Sequence, residues 1–154
     1  MIDQRILPKD FQYISYNSAV SVADGIRSMV VRGAPAIGCA AAYGVALEAI
    51  NLQDANMDEF LNGMGNAYEK LLQSRPTAIN LFWAIDRMRS KMNENISLNQ
   101  KEIANTLMSE AHKILSEDIE INRKMGIFGA ELLPDGARVL THCNAGALAT
   151  AGHG

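Results

Sequence analysis

Apolar residues recur at helical spacing through most of the chain and predict a bundle of five helices. The expected helices cover about 18–31, 35–50, 57–73, 78–92 and 99–124. The second is rich in Ala and Gly, which favours a central helix with closely packed neighbours. Residues 1–16 mix turn and extended signals and predict a short strand or an irregular lead-in.

Turn and capping signals mark where these helices begin and end. Asn99 followed by Glu102 has the form of a capping box at the start of the fifth helix. Arg75 precedes Pro76 and marks a break, because a residue before proline is pushed out of the helical region. The fifth helix is expected to end near Lys124, and Gly126 indicates a break or the start of another short helix.

The pattern changes after Pro134. An apolar run over 137–141 predicts a strand, and the small residues that follow predict a loop and the start of a helix. Strand, loop and helix together form the opening of a βα unit. We therefore predict a mostly α domain over 1–134 and the start of a truncated Rossmann-like α/β domain over 135–154. Because a single strand has no sheet to join, we expect the sequence to be an excerpt of a longer protein.

Composition narrows the class of protein. The 154 residues are 48% hydrophobic and 20% charged, as in a folded globular domain, which excludes a disordered chain. A net charge of −3 argues against a nucleic-acid partner. We find no apolar stretch long enough to cross a membrane and no signal peptide. The two cysteines imply no disulfide framework, so a cytoplasmic location is expected.

The run that begins at Arg32 is a candidate anion site. Gly33 lets the backbone approach a ligand closely, and Ala34 and Pro35 open a helix whose first N–H groups are free. Arg32 adds a forked cation suited to phosphate oxygens. The alternative is a tight connection between two helices with a solvated arginine.

A second arginine and a cysteine are further candidates. Arg75 lies in a loop from which it could reach an anion, although such an arginine is often merely exposed. Cys143 is at the carboxyl end of the predicted strand, where open α/β sheets bind ligands. It could act as a nucleophile or base, or it could be a buried structural residue. His142 should point to the opposite face, and Cys39 is expected in the core.

A metal site is not expected. Three histidines and two cysteines show no short spacing of the zinc type. His112, on the fifth helix, is expected to be at the surface or half-buried. We expect no cofactor.

Three motifs together resemble those of the methylthioribose-1-phosphate isomerase family. They are 31–38 (VRGAPAIG), 74–81 (SRPTAINL) and 140–150 (LTHCNAGALAT), and 3–5 (DQR) with Leu7 and Pro8 is also similar to the family's early segment. The resemblance covers essentially the whole chain. Relative to the family, the chain is expected to lack a short N-terminal stretch and roughly the C-terminal half.

The resemblance implies conversion of 5-methylthioribose 1-phosphate to 5-methylthioribulose 1-phosphate in methionine salvage, usually by a homodimer. It implies that Cys143 is the active-site cysteine. It also implies the substrate-binding residues, namely Arg32, Gly33, Ala34, Arg75 and Asn144. The family's acid is an aspartate in its C-terminal domain, so this segment alone is expected to be inactive unless a complementary C-terminal fragment supplies it.

Three alternatives remain at this point. A ribose-1,5-bisphosphate isomerase would keep the phosphate site and the cysteine, but Pro35 and the pair at 145–146 favour the methylthioribose enzyme. A regulatory subunit related to translation initiation factor 2B would need no reactive thiol, so Cys143 argues against it. A dinucleotide-dependent dehydrogenase is disfavoured because the glycines after Thr141 do not form G-x-G-x-x-G.

Overall fold

A computed structural model describes residues 1–143 and 145–154, and it confirms the predicted helical bundle. The five helices begin close to their expected starts. They are α1 (Ala19–Arg27), α2 (Ala34–Asn51), α3 (Met57–Leu72), α4 (Ile79–Glu94) and α5 (Gln100–Ala130), followed by a 3₁₀ turn, Ala147–Ala149. None of these helices is long and apolar enough to cross a membrane.

Side-chain caps fix the starts of three helices. Ser18 caps α1, Asn56 caps α3 and Asn99 caps α5. The predicted capping box is confirmed: the Glu102 N–H donates to Asn99 Oδ1 at 3.0 Å, and the Asn99 N–H donates to Glu102 Oε2 at 3.2 Å. Such a cap contributes about 1 kcal/mol.

Helix α2 is central, as its small residues predicted, and contacts each of the other four helices. A Cβ placed on Gly38 would lie 2.9 Å from the Asn80 carbonyl oxygen, so only glycine permits this approach of α4. Gly44 likewise lies against Val22 and Leu71. Large apolar side chains of the other helices fill the space around α2, each contributing roughly 1.5–3 kcal/mol by burial. The largest include Ile26, Phe60, Met64, Leu71, Leu81, Ile85, Met88, Ile103, Leu107 and Ile114.

Two predicted helix ends were wrong. Helix α1 ends at Arg27 rather than near Val31, because the chain turns there and Val30 donates its N–H to the Gly25 carbonyl at 2.9 Å. Helix α5 runs without a break past Gly126 to Ala130. A glycine costs a helix about 1 kcal/mol but removes none of its backbone hydrogen bonds, so the ladder continues through it.

Both predicted extended segments differ from regular strands. In the lead-in, Ile2 and Tyr13 form one isolated antiparallel bridge. Residues 137–141 form no strand in the described part of the chain and are exposed, with Leu140 96% accessible. A strand needs a neighbour to satisfy its N–H and C=O groups, and no described segment pairs with this one. The helix expected after Gly146 is the short 3₁₀ turn.

Candidate functional site

Helix α2 begins with a glycine in a conformation that other residues rarely adopt. Gly33 has φ 105° and ψ 136°, and its carbonyl accepts from the Ile37 N–H at 3.0 Å. Pro35 lies in the first turn, and no side chain of a described residue caps this helix. The first N–H groups of α2 therefore remain available to an anion. The neighbouring Arg32 is exposed.

The 3₁₀ turn packs directly against this glycine. A Cβ on Gly33 would lie 2.4 Å from Ala149 Cα and 2.6 Å from the Ala149 carbonyl oxygen. Only a residue without a side chain permits that approach. The fold therefore places the segment that follows Cys143 beside the start of α2, although the two are far apart in the sequence.

The turn before α4 lies near the start of α2. Arg75 is half-buried, and its carbonyl accepts from the Ala78 N–H at 3.0 Å. The preceding residue, Ser74, is buried, and its hydroxyl donates to the Leu71 carbonyl at 2.6 Å, which fixes the turn. Ala78, the N-cap residue of α4, has no side-chain group that could cap this helix. The contact of Gly38 with the Asn80 backbone holds the first turns of α2 and α4 together.

Both candidate arginines have guanidinium groups that form no ion pair with any described residue. Arg87 is different, because it binds Glu110 at 2.6 Å and also Glu117. Arg87 is therefore structural, whereas Arg32 and Arg75 have positive charge to offer a ligand.

A cavity of about 480 Å³ lies between the first turns of α2 and α4 and the middle of α5. Pro35 and Asn80 contribute from the helix starts, and Trp83 from the next turn of α4. Asp118 and Met125 line it from α5. The cavity is mostly apolar and adjoins the uncapped helix starts, so it could take an uncharged part of a ligand whose anion is held at those starts.

The two cysteines have opposite environments. Cys143 is exposed, with φ 66°, and Cys39 is buried in α2 as predicted. Burial, and secondly the charge of Asp118, raises the pKa of the Cys39 thiol to about 12. Since the thiolate is the reactive form, Cys39 is inert at neutral pH. The candidate Asn144 lies outside the described residues.

The histidines show no sign of a ligand set. His112 is exposed and its Nδ1 lies 2.7 Å from the Tyr43 hydroxyl oxygen, in keeping with the predicted surface position. Within residues 1–143 and 145–154, no three His, Cys, Asp or Glu side chains are grouped so as to hold a metal ion.

Sequence reasoning missed two residues at this site, Gln4 and Asp118. The Gln4 side chain donates to the Leu148 carbonyl at 2.7 Å, and the Asp118 carboxylate accepts from the Ala151 N–H at 2.8 Å. The motif at 3–5 was the available signal for Gln4, but nothing in the pattern pointed to Asp118.

A family model described as "Initiation factor 2 subunit family" matches residues 30–151. That range includes Arg32, Arg75 and Cys143. The chain belongs to the initiation factor 2 subunit family. The resemblance stated from the motifs is thereby confirmed at the level of the family, and curated relatives carry the name of the isomerase.

Two such relatives are named methylthioribose-1-phosphate isomerase. The protein from Albidiferax ferrireducens is 59% identical over all of this chain and 44% of its own length. The protein from Syntrophotalea carbinolica is 52% identical over all of this chain and 45% of its own length. The chain thus spans less than half the length of these relatives.

Two solved structures share the fold. One is 5-methylthioribose 1-phosphate isomerase from Pyrococcus horikoshii OT3, with a TM-score of 0.93 and 48% identity over all of this chain and 43% of that one. The other is the delta subunit of translation initiation factor eIF-2B from A. fulgidus. Its TM-score is 0.87, with 43% identity over 99% of this chain and 44% of that one.

Proposed function

We propose that the protein containing this chain is an aldose–ketose isomerase that converts 5-methylthioribose 1-phosphate to 5-methylthioribulose 1-phosphate. Several relatives at 46–59% identity carry the name of that enzyme. In this proposal the chain contributes the phosphate-binding residues and the active-site cysteine. The acid, expected to be an aspartate, comes from the part of the relatives that this chain does not cover.

The observation that carries the proposal is the packing of the 3₁₀ turn on Gly33. A Cβ there would lie 2.4 Å from Ala149, so the loop after Cys143 approaches the free N–H groups of α2. In this proposal Arg32 and Arg75, which form no ion pair with the described residues, supply the positive charge for a phosphate at those N–H groups. Anion, cation and thiol are then combined in one region, as a sugar-phosphate isomerase needs.

The chemistry explains these residue types. The phosphate on C1 prevents simple opening of the hemiacetal, so the enzyme must hold the phosphate while an acid assists ring opening. Hydrogen must then move from C2 to C1, which turns the aldose into the ketose. Cys143 would act as the base for this step or support a hydride-type shift. Arg32, Arg75, the backbone of Gly33 and Ala34, and Asn144 would hold the substrate.

A second candidate is a non-catalytic regulatory subunit of translation initiation. The observation that favours it is the similarity to the eIF-2B delta subunit, at 43% identity with the same helical fold. A ribose-1,5-bisphosphate isomerase is a third candidate, since it would use the same phosphate site and thiol. Cys143 favours either of the two isomerases over the regulatory subunit, which would need no reactive thiol.

The test is turnover by a protein of the relatives' full length that carries this sequence. We expect conversion of 5-methylthioribose 1-phosphate and much slower conversion of ribose 1,5-bisphosphate. Cys143→Ala should lower kcat by roughly 10²-fold or more. Cys39→Ala is the matched control for the loss of a thiol. It should retain most of the activity, because Cys39 is buried and alanine removes only one sulfur atom from the wall of the cavity.

The opposite results separate the candidates. Preferred turnover of the bisphosphate would replace the substrate. No turnover of either sugar, together with stable binding to initiation factor 2, would favour the regulatory subunit.

A further inference from the structure

Gln4 connects the two parts of the proposed site. Its backbone N–H donates to the Val30 carbonyl at 3.0 Å, just before Arg32. Its side-chain Nε2 donates to the Leu148 carbonyl at 2.7 Å, just after Cys143. Gln4 is only 7% exposed. One buried residue of the lead-in thus holds both the approach to α2 and the segment after the cysteine.

The residues on either side of Gln4, Asp3 and Arg5, are also held by hydrogen bonds. The N–H of Asp3 donates to the Gln12 carbonyl at 2.9 Å. Arg5 forms two side-chain hydrogen bonds to the Asp3 carboxylate, at 2.8 and 2.7 Å, and these lower the pKa of Asp3. Because both neighbours are held, the backbone of Gln4 has a fixed position, and its side chain lies within hydrogen-bonding distance of Leu148.

Three different parts of the chain hold three of the four positions 148–151, in the segment after Cys143. Gln4 binds the carbonyl of Leu148, Gly33 packs on Ala149, and Asp118 accepts from the N–H of Ala151. Ala149 is 4% exposed, although it belongs to a segment with little secondary structure of its own. The position of this segment therefore depends on these contacts.

We propose that Gln4 is a positioning residue of the active site, acting through Leu148 on the loop that carries Cys143. This inference rests on the proposed function for its catalytic consequence, but the contact can be tested without activity. Without the amide donor, the Leu148 carbonyl loses its hydrogen bond, whereas the packing on Gly33 and the hydrogen bond to Asp118 remain. The thiol then samples more positions relative to the phosphate site.

The experiment uses Gln4→Met in the full-length protein. Methionine keeps the length of the side chain and removes the donor. Gln12→Met is the matched control, because it makes the same change in the same lead-in at an exposed side chain. Amide hydrogen exchange in a peptide covering 145–152, the alkylation rate of Cys143 by iodoacetamide, and kcat and KM are measured for each.

For Gln4→Met we expect exchange of that peptide to rise about tenfold, the effect of losing one buried hydrogen bond. We expect the alkylation rate of Cys143 to change severalfold. The kcat for 5-methylthioribose 1-phosphate should fall about tenfold with little change in KM, because the phosphate site keeps the backbone bond to Val30. Should Gln4→Met fail to fold, Gln4→Leu also removes the donor without adding a buried charge and is measured with the same expectations.

Equal exchange and alkylation in Gln4→Met and Gln12→Met would overturn the inference. So would a fall in melting temperature and kcat without any change local to 145–152, since that is a general structural effect. If the full-length protein lacks isomerase activity, the proposed function fails, while exchange and alkylation still decide whether Gln4 positions the segment.

Discussion

Replacing Gly33 by alanine should separate the 3₁₀ turn from the start of α2. Two costs add at this position. Alanine at φ 105° is strained by roughly 1–3 kcal/mol. The new Cβ would also lie 2.4 Å from Ala149 Cα, far inside ordinary van der Waals contact, and the nearest atoms are largely backbone that cannot rotate away. Overpacking of this kind costs roughly 1–3 kcal/mol.

The expected loss of stability for Gly33→Ala is therefore about 2–4 kcal/mol, because moving the turn relieves part of the clash. It is measured by urea unfolding followed by circular dichroism. Gly65→Ala is the matched control, because Gly65 is an exposed position of α3 and a Cβ there would meet nothing within 4 Å beyond the backbone of its own helix. It should increase stability by roughly 0.5–1 kcal/mol. In the full-length protein, Gly33→Ala should also lose isomerase activity. Equal stability of the two variants would refute the reasoning.

Three further predictions concern the two cysteines and the half-buried Arg87. In the native protein, iodoacetamide at pH 8 should label Cys143 and leave Cys39 unlabelled until the chain is unfolded. Labelling is followed by mass spectrometry, and rapid labelling of both cysteines would contradict the raised pKa of Cys39. Arg87→Met should destabilise the bundle by about 2 kcal/mol in urea unfolding, because it leaves Glu110 nearly buried without its partner. Arg87, chiefly through its hydrogen bond, lowers the pKa of Glu117 from the usual 4.5. That pair therefore stabilises the fold above pH 4.5 and less as the pH falls through the lowered pKa, and Arg87→Met should reduce this acid dependence; an unchanged pH profile would argue against the pair.

Local signals predicted the helices well. A cap such as Asn99 is predictable because its partner, Glu102, is only three residues away in the sequence. The small residues of α2 directly indicated close packing. The error at Gly126 had a local cause as well, since a glycine weakens a helix without breaking its hydrogen bonds. The strand expected over 137–141 depends on a partner strand, which no pattern within the segment can supply.

The candidate site was only partly predictable. Arg32, Gly33 and Arg75 were visible because glycine, proline and arginine are informative beside helix starts. That Ala149 lies against Gly33 and that Gln4 reaches Leu148 are contacts between distant parts of the chain. They follow from how α2 and the lead-in pack, and hydrophobic periodicity carries no information about such contacts.

Protection of Cys143 by 5-methylthioribose 1-phosphate tests whether the start of α2 and the segment after the cysteine form one sugar-phosphate site. The alkylation rate of Cys143 is measured in the full-length protein with and without saturating 5-methylthioribose 1-phosphate, and again in Arg32→Met. If they form one site, the sugar phosphate should slow alkylation at least tenfold in the parent protein and much less in Arg32→Met at the same concentration. An alkylation rate that the sugar phosphate leaves unchanged would contradict this prediction.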